Sequence, residues 1–222
     1  MSRKRWFAVK DGMIAAMGER DDFAGEAKEV IDLNGGTVMP GFVDAHVHGT
    51  LVGMSHVGLD LLGINTVAGI VDAVREFCAQ DPTDKVKYAF NMTMAKDLED
   101  RRAPSRFELD AVTGDHPLII LNWTIHGGII NTKALEYLKA TAPAVAKMVN
   151  DQGYFNEDDP IAHILGLFTD EDFENFYKLL CEDCAKVGIT TVHSLDGFWV
   201  KDDRDTEVLM RIIYTLPVEI RP

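Results

Sequence analysis

The stretch Val38-Met39-Pro40-Gly41-Phe42-Val43-Asp44-Ala45-His46-Val47-His48 constrains this chain more than any other. An apolar lead-in runs into a carboxylate and two imidazoles at the spacing of a strand. Strand side chains alternate, so Asp44, His46 and His48 are expected on one face while Val43, Ala45 and Val47 pack on the other. Two histidines at that spacing can grip one divalent ion, zinc being among those that suit imidazole ligands. A polar face turned to solvent would use the same residues, but an edge strand seldom runs so apolar before three such groups and a turn at Gly49. His46 and His48 are therefore the candidate metal ligands.

Length and charge narrow the partners. A chain of 222 residues with 46% apolar residues suits one large domain or one and a half, with a real core. Its formal net charge of -14 argues against nucleic acid and against an anionic membrane surface, leaving a small molecule as the expected partner. The basic start Arg3-Lys4-Arg5 is followed by no apolar segment of a leader, and no stretch is apolar enough to span a bilayer. Three cysteines do not make a disulfide framework and fit a reducing, cytoplasmic compartment.

From Phe7 to Thr37 the chain reads as short strands, Trp6–Lys10, Met13–Met17 and Val30–Leu33, punctuated by Asp11-Gly12 and Asn34-Gly35. After the histidine strand, Thr66 can cap a helix carrying Val67, Ile70, Val71, Val74, Phe77 and Cys78, which Asp81-Pro82 would end. Lys87–Met94 can form a strand, and residues 96–105 a polar loop in which Arg101-Arg102 is solvated surface.

The histidine stretch closely resembles the opening of the amidohydrolase superfamily, a Pro-Gly-Phe-hydrophobic-Asp-x-His-x-His run where a small β domain enters a metal-binding barrel. A second run resembles the signature of the family-3 amidohydrolases, amide and N-acyl or N-formyl deacylases among them. It comprises Leu109-Asp110, Pro117–Leu121, His126 and Asn131-Thr132-Lys133-Ala134-Leu135. Thr132 replaces the usual Ser, and Ile125 precedes His126 where Gly is common. The resemblance covers the chain from about Phe7 onward. It implies that His46 and His48 are the first pair of metal ligands and that His126, after a buried strand, faces the substrate or neighbours the metal, although a loop imidazole hydrogen-bonded to backbone would use the same residue.

Other residues carry weaker signals. Asn131 suits an N-cap for the helix Thr132–Lys139, and His56, His116 and His163 lack a partner pattern. Ala142–Val149 reads as a short helix, and Asn150–Asp159 as a solvated acidic loop or lid without calcium-ligand spacing. Asp170 can cap a helix whose stripe includes Phe173, Phe176, Leu180, Cys184 and Val187. Cys181 and Cys184 lie on or beside it, mid-helix, and are expected as core. Gly188–Gly197 resembles a further barrel strand of the family; His193 is taken as substrate-facing with Asp196 beside it, although both could instead close the loop. Asp205–Thr215 and Leu216–Ile220 read as a last helix and strand.

Together these predict an α/β chain: a small β segment of a composite β-sandwich in residues 1–38, then part of a TIM-like (β/α) barrel in residues 39–222. Candidate strands at 38–48, 87–94, 117–122, 189–193 and 216–220 fall short of eight. The resemblance implies a divalent-metal, zinc-dependent hydrolase of non-peptide carbon–nitrogen bonds acting on a small amide-type substrate, with no catalytic base assignable here. The alternative is a non-catalytic barrel fragment that binds metal or assembles, and a homo-oligomer is expected in either case.

Overall fold

The computed structural model describes residues 4–20, 23–80, 86–197 and 199–222. The chain divides into two compact units, Met1–Pro40 and Gly41–Pro222.

In the first unit β1 (Trp6–Lys10) and β2 (Met13–Gly18) pair antiparallel. Asp11 and Gly12 between them both take positive φ, 52° and 76°, the backbone a tight two-residue hairpin needs. Val30–Leu33 forms no strand, contrary to expectation, and Val30 and Ile31 stay exposed. Among the described residues β1 and β2 pair only with each other, so this segment lacks a ladder to join. The turn after it does form: Asn34 has φ 49°, and its N–H is held by Asp32 Oδ1 at 2.8 Å.

In the second unit β3 (Phe42–Val47) leads into α1 (Gly49–Ser55), and a brief β4 (Leu59–Asp60) precedes α2 (Val67–Gln80). Thr66 caps α2 by accepting from the Gly69 N–H at 3.1 Å, and Val67, Ile70, Val74 and Cys78 form its buried stripe. The expected stop at Asp81-Pro82 lies outside the described residues, as does Arg3 of the basic start. Then follow β5 (Lys87–Met92), α3 (Arg106–Thr113), β6 (Leu118–Asn122), β7 (Gly128–Ile130), α4 (Thr132–Thr141) and the short α5 (Pro143–Ala146). The unit ends with β8 (Tyr154–Phe155), α6 (Asp158–Leu165), α7 (Asp170–Lys186), β9 (Ile189–Ser194), α8 (Arg204–Ile212) and β10 (Glu219–Arg221). Two local expectations shift. Thr169, not Asp170, caps α7 through a capping box with Asp172, and the acidic stretch 150–159 holds β8 and the start of α6 rather than a lid.

These mixed α/β elements make two sheets, not one. β3, β9 and β10 are parallel, in the order β10-β9-β3. The other sheet, β4-β5-β6-β7-β8, turns antiparallel at β7, because residues 123–127 return the chain at once beside β6. Gly128 permits that approach: a Cβ there would stand 2.0 Å from the Ile120 carbonyl oxygen. The strands expected at 87–94 and 117–122 therefore belong to a different sheet from the histidine strand.

One face of the three-stranded sheet is covered by α7 and α8. Tyr177, Leu180, Cys181 and Cys184 of α7 meet Val192, Leu209, Val218 and Ile220 in one core cluster. Burial pushes the thiol pKa of Cys181 and of Cys184 up, and neither is in a disulfide. Among the described residues no helix is long and apolar enough to cross a membrane.

Candidate functional site

Among the described residues β3 is an edge strand, paired through β9 alone, and its ladder is irregular. Asp44 stands opposite Val192 and Val47 opposite Ser194, so Ala45 and His46 together oppose the single residue His193. This bulge overturns the expected shared face. Asp44 is set with buried Val192 toward the helix layer, where its charge reaches Cys184, and its Oδ1 accepts from the His46 N–H at 3.0 Å. The opposite set does not pack as expected either: Val43 is 59% exposed and Ala45 is exposed, with only Val47 joining the core.

His46 and His48 remain adjacent, their ring centroids 5.4 Å apart and their planes at 80°. Metal–nitrogen bonds of about 2 Å allow two imidazoles on one ion to have centroids up to about 6 Å apart. The pair fits as two ligands. Among the described residues no group of three or more His, Cys, Asp or Glu could hold an ion. His48 follows the strand at the N-cap position of α1, and its Nδ1 lies 3.0 Å from the Leu195 carbonyl oxygen. A bond donated from Nδ1 to a carbonyl is the usual support of a histidine that ligates through Nε2.

Trp199, in the loop after β9, carried no motif, yet it joins the histidines. It is 1% exposed, its indole Nε1 lies 3.2 Å from His48 Nδ1, and its ring meets His48 at 5.4 Å and His126 at 6.1 Å. The only available signal was a large aromatic shortly after the C-terminal end of a buried strand. His126 itself is exposed and its Nδ1 sits 3.2 Å from Asp158 Oδ1. The preceding Ile125 has φ 59°, a strained conformation for a β-branched residue and one that Gly would adopt freely.

The remaining candidates divide. His193 is exposed on β9, across from His46 in the ladder and from Arg221 on β10. Asp196 closes the loop: it accepts from the Thr50 N–H and from the Ser194 hydroxyl. Behind them lies a buried polar cluster that sequence reasoning missed. The Thr50 hydroxyl lies 3.0 Å from the Tyr177 hydroxyl and donates to Asp205 Oδ2 at 2.9 Å. Asn131 is a cap, its Oδ1 accepting from the Ala134 N–H. Two open clefts, of about 460 and 400 Å³, lie along α2, one against α3 and one by β4; neither includes His46, His48, His126 or His193.

The sequence profile of the amidohydrolase family matches residues 29–216. The chain belongs to this family. It is 29% identical over 133 residues to an N-substituted formamide deformylase of Arthrobacter pascens, covering 58% of this chain and 24% of that protein. Over 49 residues it is 53% identical to an allantoinase of Escherichia coli, covering 22% of this chain and 10% of the allantoinase. In fold it is similar to an uncharacterized metal-dependent hydrolase from Pyrococcus horikoshii, with a TM-score of 0.65, 22% identity and coverage of 82% of this chain and 36% of that one. The amidohydrolase chain thus spans about a quarter of the deformylase.

Proposed function

We propose that the protein is a metal-dependent hydrolase of non-peptide carbon–nitrogen bonds in small amide-type molecules, and that these residues carry its first metal ligands. The observation that supports this most is the His46–His48 pair, adjacent at the end of β3 with a carbonyl beside His48 Nδ1, in a chain of the amidohydrolase family. His46 and His48 would hold a divalent ion, and zinc, one of the ions that suit imidazole ligands, is the one proposed. The chemistry supplied by an ion bound there would be polarisation of a carbonyl oxygen and a lowering of a water's pKa to about 7. The chain's own groups would orient the amide: His126, held by Asp158, and His193, across the ladder from His46, would contact it. No residue is assigned as catalytic base.

Within this reading β3, β9 and β10 are successive strands of a TIM-like barrel, with α7 and α8 on its outer side and the five-stranded sheet inserted between the first two. Their parallel, sequential order and single helix-covered face support that placement. Residues 1–38 would then belong to a composite β-sandwich. Buried cysteines without a disulfide support a cytoplasmic address.

A second reading, a barrel fragment that binds metal or assembles without catalysis, is favoured by the edge of β3, which pairs with no second strand among the described residues and where Phe42 is 52% exposed beside Val43. The same edge supports a homo-oligomer. Zinc retained after dialysis, and release of product from N-substituted formamides or allantoin, separate the readings. The parent should retain zinc and the His46→Ala/His48→Ala variant should not. Equal zinc in both would sink the metal assignment, while zinc retention with no turnover of any amide would favour the second reading.

A further inference from the structure

Among the described residues, two neighbours of His48 Nδ1 make demands that it cannot serve at once. The Leu195 carbonyl oxygen lies at 3.0 Å and the Trp199 indole nitrogen at 3.2 Å. A carbonyl only accepts and an indole N–H only donates. With its proton on Nδ1, neutral His48 bonds to Leu195; with the proton on Nε2, it accepts from Trp199. Only the first arrangement leaves a lone pair on Nε2 for an ion.

We propose that Trp199 is a positioning residue that sets the tautomer of His48. Its indole N–H holds the metal-free protein in the Nε2–H form, and a divalent ion at Nε2 shifts the ring to the Nδ1–H form bonded to Leu195. This rests on the metal reading and deepens it. The imidazole stays neutral in both forms: one proton leaves Nε2 and one reaches Nδ1 through solvent. In the ion-bound form the Nδ1–H and the indole N–H would be two donors facing each other at 3.2 Å, so the indole must turn. Trp199 is buried, with its ring edge-on to His48 and tilted 36° from His126, so this turn moves the surface beside His126. Ion occupancy would thereby reach the imidazole assigned to the substrate.

The test uses Trp199→Phe, which keeps a ring and removes the N–H, with zinc as the ligand. Zinc should bind roughly two- to tenfold more tightly than to the parent, because the lost hydrogen bond stabilised only the metal-free state. Imidazole ¹⁵N shifts, assigned through His48→Ala, should place the His48 proton on Nε2 in the metal-free parent and on Nδ1 in both metal-free Trp199→Phe and zinc-loaded parent. A metal-free parent already protonated on Nδ1 overturns the proposal, and so does unchanged zinc affinity in Trp199→Phe. Should that variant fail to fold, the shifts of the parent with and without zinc decide alone. Zinc binding that survives His46→Ala/His48→Ala removes the metal reading and this proposal with it. Loss of zinc in that double variant beside an unresponsive Trp199→Phe removes only the role of Trp199.

Discussion

Asp196 accepts the backbone N–H of Thr50 at 3.1 Å, across 146 residues of chain. Its other carboxylate oxygen takes the Ser194 hydroxyl, and Ser194 Oγ in turn accepts from the Gly49 N–H at 3.1 Å. Gly49 and Thr50 open α1, where N–H groups have no earlier turn to bond. The end of β9 and the loop after it therefore satisfy the donors of the very residues that follow His48, and they fix the backbone that aims this imidazole.

Asp196→Ala should cost about 1–3 kcal/mol, the range for stranding a buried donor. Asp196→Asn should cost less, because an amide oxygen can still accept from Thr50. Urea unfolding of the three proteins checks this. An alanine variant as stable as the parent would remove the clamp from the account.

Asn131 shows how far a cap can be buried. Its Oδ1 accepts from the N–H groups of Leu118 and Ala134, each at 3.0 Å, and its Nδ2 donates to Thr113 Oγ1 and the His116 carbonyl at 3.0 and 2.8 Å. Every bond this amide can make ties α4 to β6 and to the end of α3. Asn131→Ala should destabilise by roughly 3 kcal/mol or more, since several buried groups lose their partner together. Zinc retained per folded molecule should not change. A loss of zinc without a loss of stability would turn Asn131 from a cap into a site residue.

What the sequence made legible was local. Asp11-Gly12 declared its hairpin, Thr66 and Asn131 their helices, and the stripe through Phe173, Leu180 and Cys184 the buried side of α7, because each signal sits within a few residues of its effect. Sheet membership was not local. Ile119 and Ile120 say that β6 is buried but nothing about its neighbours, so the hairpin with β7 passed unseen. At the site, a strict period of two put Asp44 with the histidines, and one bulge sufficed to turn it to the other face. Trp199 reaches His48 from 151 residues away, a contact only tertiary packing creates.

Glu108 gives a pH signature away from the histidines. The Arg102 guanidinium hydrogen-bonded to it, together with the backbone N–H and hydroxyl of Ser105, holds its pKa down to about 2. A carboxyl depressed in the folded state contributes stability above its unfolded pKa, and that contribution is lost as pH falls through the folded value. Glu108→Gln should therefore cost about 1 kcal/mol at pH 7, kept small because the Arg102 pair is half exposed and screened. The gap between the two proteins should close between about pH 4.5 and pH 2. A gap independent of pH would assign the effect to packing instead.

Asp205 should behave in the opposite sense. It is 0% exposed at the start of α8, with Oδ2 accepting from the Thr50 hydroxyl and Oδ1 from the Thr206 N–H. Burial raises its pKa and the charge of Asp196 pushes the same way, against the hydrogen bond from Thr50. The folded state then holds the proton more tightly than the unfolded one, so stability falls as pH rises from the ordinary aspartate value through the raised one. Asp205→Asn cannot ionise and escapes that loss. Its amide oxygen can take the Thr206 N–H while its NH₂ donates to Thr50 Oγ1, whose own proton turns to the Tyr177 hydroxyl 3.0 Å away. Thermal unfolding should thus find Asp205→Asn at least as stable as the parent at pH 7, with the advantage shrinking as pH falls through the raised value and gone below about 4. Carboxyls common to both proteins, Glu108 among them, cancel in the difference. A variant that is less stable at pH 7, by a margin that grows as pH rises, would mean that the charge of Asp205 is wanted where it lies.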